Sequence, residues 1–207
     1  MKLGILGSTR GTDALHILQS IQDGILKNIT IECIVSNRST SRILDIGKRY
    51  NIDALYVNPK NESGALLSKE QYDDKITEIL QQYKVDYVLL VGWMRLLSES
   101  FVNTWKNRIL NIHPSLLPSF EGCMDMNVHR AVIDRGCKVT GATLMFVDQG
   151  ADTGPIIAQL PVVVKDTDTP DMLKERVQDA EKELFIEYLP LLRDGKIALE
   201  NNKVLIL

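Results

Sequence analysis

Short apolar runs alternate with helically spaced apolar residues along the first half of this 207-residue chain, and no other feature restricts its fold as strongly. Leu3-Gly4-Ile5-Leu6 reads as a buried strand within the segment Lys2 to Gly7. Thr12 to Leu26 follows, with Leu15, Leu18, Ile21 and Ile25 at helical spacing. The alternation continues with a strand over Ile29 to Val35, a helix over Ser41 to Tyr50 with Ser41 as its cap, and a short strand over Ala54 to Val57. A helix over Ser68 to Tyr83, a strand over Val85 to Val91, a helix over Ser98 to Trp105 and a strand over Ile109 to Ile112 complete it. A succession of this kind predicts a parallel sheet with helices on both faces.

The pattern then changes. Pro114 to Asn127 reads as a loop, Val128 to Asp134 as a helix, and Thr143 to Val147 and Ile156 to Val164 as two antiparallel strands. Pro170 to Leu192 is a long amphipathic helix with Pro170 in its first turn and Gly195 just past its end; Pro190 is expected to bend or tighten its last turn. Ile197 to Leu199 and Val204 to Leu207 suggest a closing strand pair. With no repeat, low-complexity segment or linker, the expectation is one α/β domain over residues 1–207, doubly wound first and mixed-sheet after.

Composition narrows the class. A hydrophobic fraction of 44% supports a sizeable core, and a net charge of −3 without a basic run argues against a nucleic-acid partner. No apolar stretch approaches the length of a membrane span, and the N-terminus lacks a signal-peptide pattern. Cys33, Cys123 and Cys137 are odd in number and form no CxxC pair, which predicts free thiols in a reducing cytoplasm.

Ligands of an open parallel sheet bind beyond the carboxyl ends of its strands, and three polar segments arrive there. Gly7 to Asp13 opens a helix after the first strand, and its amides suit either a phosphate or a plain tight turn capped by Thr12 or Asp13. Asn111 and His113 stand two apart at a strand end and share a side, which suits holding an oxyanion and moving a proton, or merely shaping the next loop. Asp148 to Pro155 combines two carboxylates with glycines, explained by turn chemistry or by a carboxylate delivered to the histidine. Two aspartates with no fixed histidine or cysteine make a poor metal set, so no metal is expected. His16 and His129 read as structural, as does Met94-Arg95-Leu96-Leu97 taken alone, and Glu181 reads as a solvated acid.

Taken together, Asn111-Ile112-His113-Pro114-Ser115-Leu116-Leu117-Pro118 and Asp148-Gln149-Gly150-Ala151-Asp152-Thr153-Gly154-Pro155-Ile156-Ile157, at this separation, resemble the formyltransferases that use 10-formyltetrahydrofolate. The resemblance covers essentially the whole chain. It implies a Rossmann-like formyltransferase fold, with a phosphate- and substrate-binding half over 1–108 and a catalytic and folate-binding half over 109–207. It implies formyl transfer to an amine, with glycinamide ribonucleotide of purine (IMP) biosynthesis as the acceptor and a monomer or homodimer as the working form. Asn111, His113 and Asp152 would be catalytic. Gly11, Thr12 and Asp13 would hold the acceptor's phosphate, and Gln178, Asp179, Ala180 and Glu181 its glycinamide end. Lys69, Met94, Arg95, Leu96, Leu97 and Asn111, with Asp148, Gln149, Gly150, Ala151 and Asp152, would bind the folate.

The chain departs from the family pattern at Thr12-Asp13, often Ser-Asn, and at Lys69, often arginine. It departs also at Met145, commonly histidine, and over Glu121 to Asn127. An ionised Asp13 would repel a phosphate unless its side chain caps the helix, and Lys69 lacks the planar fork of arginine. Transfer to a sugar nucleotide or aminoacyl-tRNA, deformylation, and non-catalytic nucleotide or folate binding are the alternatives. The first two are expected to need additional domains, and the last leaves Asn111, His113 and Asp152 without a role.

Overall fold

A computed structural model describes residues 1–123 and 126–207. The chain divides into two compact units, Met1–Leu110 and Asn111–Leu207.

In the first unit, β1 (Lys2–Gly7) lies between two parallel neighbours, β2 (Thr30–Ser36) and β4 (Tyr87–Val91), and β2 pairs in parallel with β3 (Asp53–Tyr56). The strand order β3-β2-β1-β4 therefore reverses direction between β1 and β4, the place where open α/β sheets take their ligands. Each crossover carries a helix: α1 (Thr12–Gln22), α2 (Ile43–Tyr50) and α3 (Lys69–Gln82), with α4 (Glu99–Thr104) leading to β5 (Ile109–His113). Leu3, Ile5 and Leu6 of β1 and Val88 and Leu89 of β4 are fully buried, as central parallel strands require.

The second unit starts within β5. Helix α5 (Met126–Asp134) leads to β6 (Val139–Phe146), which pairs antiparallel with β7 (Ile156–Val163). Helix α6 (Pro170–Arg193) packs on both strands, burying Leu173, Val177, Leu184, Phe185 and Leu189. A hairpin of β8 (Ile197–Glu200) and β9 (Lys203–Ile206) closes the chain. The larger sheet has seven strands, mostly parallel, turning antiparallel at β7.

Several boundaries differ from the sequence expectation. Helix α1 stops at Gln22, not Leu26, because Gly24 takes a left-handed φ of 70° and turns the chain. Ser41 does not cap α2: Arg42 is its N-cap, and the Ser41 hydroxyl donates to the Thr9 carbonyl at 2.8 Å. Neither Thr12 nor Asp13 caps α1, whose N-cap is Gly11. Strand β6 begins four residues before Thr143, because Gly141 and Ala142 are small yet buried and hide the strand pattern. Helix α5 begins two residues early, and the expected loop Pro114–Asn127 contains Met124 and Asp125, which lie outside the described residues. Helix α6 runs through Pro190 to Arg193.

Gly141 is a sharp packing constraint. A methyl there would lie 2.1 Å from the Leu160 carbonyl oxygen and 2.7 Å from a Leu116 methyl. Paired backbone cannot step aside, so Gly141→Ala is expected to cost about 1–3 kcal/mol, seen as a lower denaturant midpoint at unchanged slope.

Candidate active site

Strand β5 ends in Asn111-Ile112-His113, and the two polar residues emerge on one side of it. The His113 ring is buried, with its Nδ1 3.2 Å from Asp152 Oδ2 and its Nε2 3.2 Å from the carbonyl oxygen of Phe120. Asn111 Nδ2 donates to Asp152 Oδ1 at 3.3 Å, and the Gly122 amide donates to Asp152 Oδ2 at 3.1 Å. One carboxylate thus gathers a ring nitrogen, a side-chain amide and a backbone amide. Both ring nitrogens of His113 face acceptors, and an imidazole donates to both only when it carries two protons.

Asp152 is partly desolvated, which pushes its carboxyl up. The hydrogen bond and charge of His113, with the Gly122 amide, outweigh that and hold it below the ordinary value of 3.8. The sign of the linkage follows. A depressed folded-state pKa contributes stability that is present above the unfolded value and lost as pH falls through the folded one. Asp152→Asn is therefore expected to be less stable than wild type at neutral pH, with the gap closing below about pH 4. Urea melts of both proteins from pH 7 to pH 3 check it. A gap that stays constant across that range would disprove the assignment.

The segments that bring these groups together are themselves held. Asp148 Oδ1 accepts from the Gly150 amide at 2.9 Å and the Thr153 hydroxyl at 2.7 Å, so Asp148–Asp152 is a pre-shaped turn. Asp152 has a φ of 59°, a left-handed conformation that aspartate tolerates better than most residues. After His113, the buried Thr143 hydroxyl donates to the Ser115 carbonyl at 2.6 Å and accepts from the Leu117 amide at 3.1 Å and from Gln159 Nε2 at 3.0 Å. Gln159 Nε2 also donates to the Leu117 carbonyl at 2.9 Å. Thr143, Gln159, Phe120 and Gly122 were not anticipated, and no spacing rule ties them to His113.

The other expected residues of this unit lie on α6. Gln178 is half-buried and Asp179 exposed, whereas Ala180 and Glu181 are buried, so Glu181 is not the solvated acid its charged surroundings suggest. Met145 is buried in β6. Among the described residues no three histidine, cysteine or acidic side chains group as a metal site would need.

In the first unit, Gly11 is the N-cap of α1 with a φ of 76°, and Thr12 and Asp13 open the first helical turn, the end of a helix that favours an anion. Lys69 is exposed at the start of α3, behind the capping box of Ser68 and Gln71. The Met94–Leu97 segment follows β4; its Met94 amide donates to the Ser8 hydroxyl at 3.1 Å, and Arg95 lies over the Tyr72 ring at 4.3 Å.

The donor set suits a carbonyl ligand: Phe120 already presents such an oxygen to His113 Nε2, and Asn111 Nδ2 retains a second proton. The comparisons agree. The formyl transferase family model matches residues 1–189. The chain is 37% identical over 202 residues to the trifunctional purine biosynthetic protein adenosine-3 of Bos taurus, covering 97% of this chain and 19% of that protein. It thus spans about a fifth of the length of that relative. The crystal structure of glycinamide ribonucleotide transformylase 1 from Symbiobacterium toebii superposes with a TM-score of 0.89 at 34% identity, covering 100% of this chain and 94% of that one. Phosphoribosylglycinamide formyltransferase from Anaplasma phagocytophilum does so with a TM-score of 0.86 at 33% identity, covering 100% and 94%. By sequence, fold and the groups gathered around His113, this chain belongs to the formyl transferase family.

Proposed function

We propose that the protein transfers the formyl group of 10-formyltetrahydrofolate to the amine of glycinamide ribonucleotide, in purine biosynthesis. The observation that carries this is the Asp152 carboxylate shared by His113 and Asn111, in a chain similar to glycinamide ribonucleotide transformylases along its length. The folate supplies an electrophilic formyl carbon, and attack by the amine loads negative charge onto the formyl oxygen. Asn111 donates its second amide proton to that oxygen. His113, held through Nδ1 by Asp152, offers the proton on Nε2, which exchanges its Phe120 carbonyl partner for the substrate. Asp152 keeps the ring oriented through its contact with Nδ1. A proton must also pass from the attacking nitrogen to the departing folate nitrogen, and His113 lies closest to that task by chemistry. No covalent adduct with the protein is required.

The first unit is read as offering the amides around Gly11, Thr12 and Asp13 to the phosphate, and Lys69 and the Met94–Leu97 turn to the folate. In the second unit, Asp148–Asp152 would cover the folate and Gln178–Glu181 would meet the glycinamide. On this reading residues 1–207 work as one cytoplasmic domain, monomeric or homodimeric, which fits its three free thiols. The test is formyl transfer to glycinamide ribonucleotide followed by absorbance, wild type beside His113→Ala. Turnover in wild type that collapses in the variant supports the reaction and its centre. A wild type that binds folate but leaves this acceptor untouched overturns the choice of substrate.

A further inference from the structure

The reversal point of the first unit lies between β1 and β4, and a single hydroxyl crosses it. Ser8, directly after β1, is buried. Its amide donates to the Gly92 carbonyl at 3.2 Å, and its hydroxyl accepts from the Met94 amide at 3.1 Å while donating to Asn37 Oδ1 at 2.7 Å. The loops after β1, β2 and β4 thus meet at one side chain. The other end of the same turn is held as closely. Asp73, buried on α3, accepts the Ser98 amide through Oδ2 at 2.6 Å, and its neighbour Tyr72 lies under Arg95 of the turn. Tyr72 is fixed in its turn by donating to the Val57 carbonyl at 3.0 Å.

We propose that Ser8 and Asp73 are positioning residues for the turn Met94–Leu97, fixing its first amide and the amide of Ser98 directly after it so that the backbone between them keeps the shape that receives the folate. The assignment rests on the reading of that turn as a folate contact. Neither side chain is required to touch the ligand. A buried carboxylate is costly, and burial pushes the Asp73 carboxyl above its ordinary range against the pull of the Ser98 amide and of Arg95. Helix capping does not account for it, because the Ser98 hydroxyl already caps α4 by accepting the Phe101 amide at 3.2 Å.

The test compares wild type, Ser8→Ala, Asp73→Ala and Asp73→Asn. It reads KM for 10-formyltetrahydrofolate, KM for glycinamide ribonucleotide, kcat, and the calorimetric Kd for tetrahydrofolate. Each alanine change removes one buried acceptor, so folate KM and Kd are expected to rise about tenfold, with kcat and the acceptor's KM within about threefold of wild type. Asp73→Asn keeps an oxygen for the Ser98 amide and is expected to stay close to wild type. Folded alanine variants with unchanged folate Kd would overturn the proposal, as would an asparagine variant as weak as the alanine one. Should Asp73→Ala not fold, Ser8→Ala, a smaller change, decides the matter by the same readout. Binding separates this proposal from the reaction: a wild type that binds tetrahydrofolate without formyl transfer fails the proposed function but still reports the Kd ratios. A wild type that does not bind tetrahydrofolate overturns both.

Discussion

His113→Ala is expected to lower kcat about 10²- to 10⁴-fold at saturating folate and acceptor, the range over which a positioned acid–base group contributes. The ring joins Asp152 to the position now taken by the Phe120 carbonyl, and alanine leaves a gap between two acceptors. Asp152 keeps the Asn111 and Gly122 donors, so the carboxylate stays satisfied and the fold is expected to survive. Circular dichroism separates lost chemistry from lost structure. A folded variant retaining more than about a tenth of wild-type turnover would remove His113 from the mechanism.

Asn111→Ala is expected to reduce kcat about 10²- to 10³-fold, the usual consequence of losing one oxyanion donor. One amide proton is committed to Asp152 and the other is free for the charge that develops during transfer. Because that charge is small in the bound ground state, the loss should fall on kcat and leave the acceptor's KM nearly unchanged. Steady-state kinetics with each substrate varied in turn checks the split. A variant whose KM rises while kcat holds would make Asn111 a binding group.

The alternation of apolar runs and helical stripes made the parallel first half legible, and the proline-rich break after His113 marked where the architecture changes. That Asn111 and His113 emerge on one side of β5 was legible, because residues two apart on a strand share a side; that Asp152 belongs with them came from the family resemblance, since turn chemistry alone accounts for an aspartate among glycines. What escaped has a common physical character. Ser8 and Asp73 reach amides 86 and 25 residues away, and Gln159 reaches a carbonyl 42 residues away. Such bonds leave no periodic trace. The start of β6 was hidden differently: with Gly141 and Ala142 both buried, neither alternation nor bulk announces a strand.

The Thr143 hydroxyl has one proton and two lone pairs, and all three are spoken for by Ser115, Leu117 and Gln159. The segment bearing the histidine is therefore not a portable cassette. Grafting residues 111–118 onto another sheet would carry the reactive groups and abandon the scaffold that sets their pose, since its anchors lie at 143 and 159. Valine at 143 would match the threonine in shape and silence every one of those bonds. Anyone transplanting this chemistry must move a discontinuous set, in which a plain hydroxyl on a neighbouring strand counts as much as the imidazole.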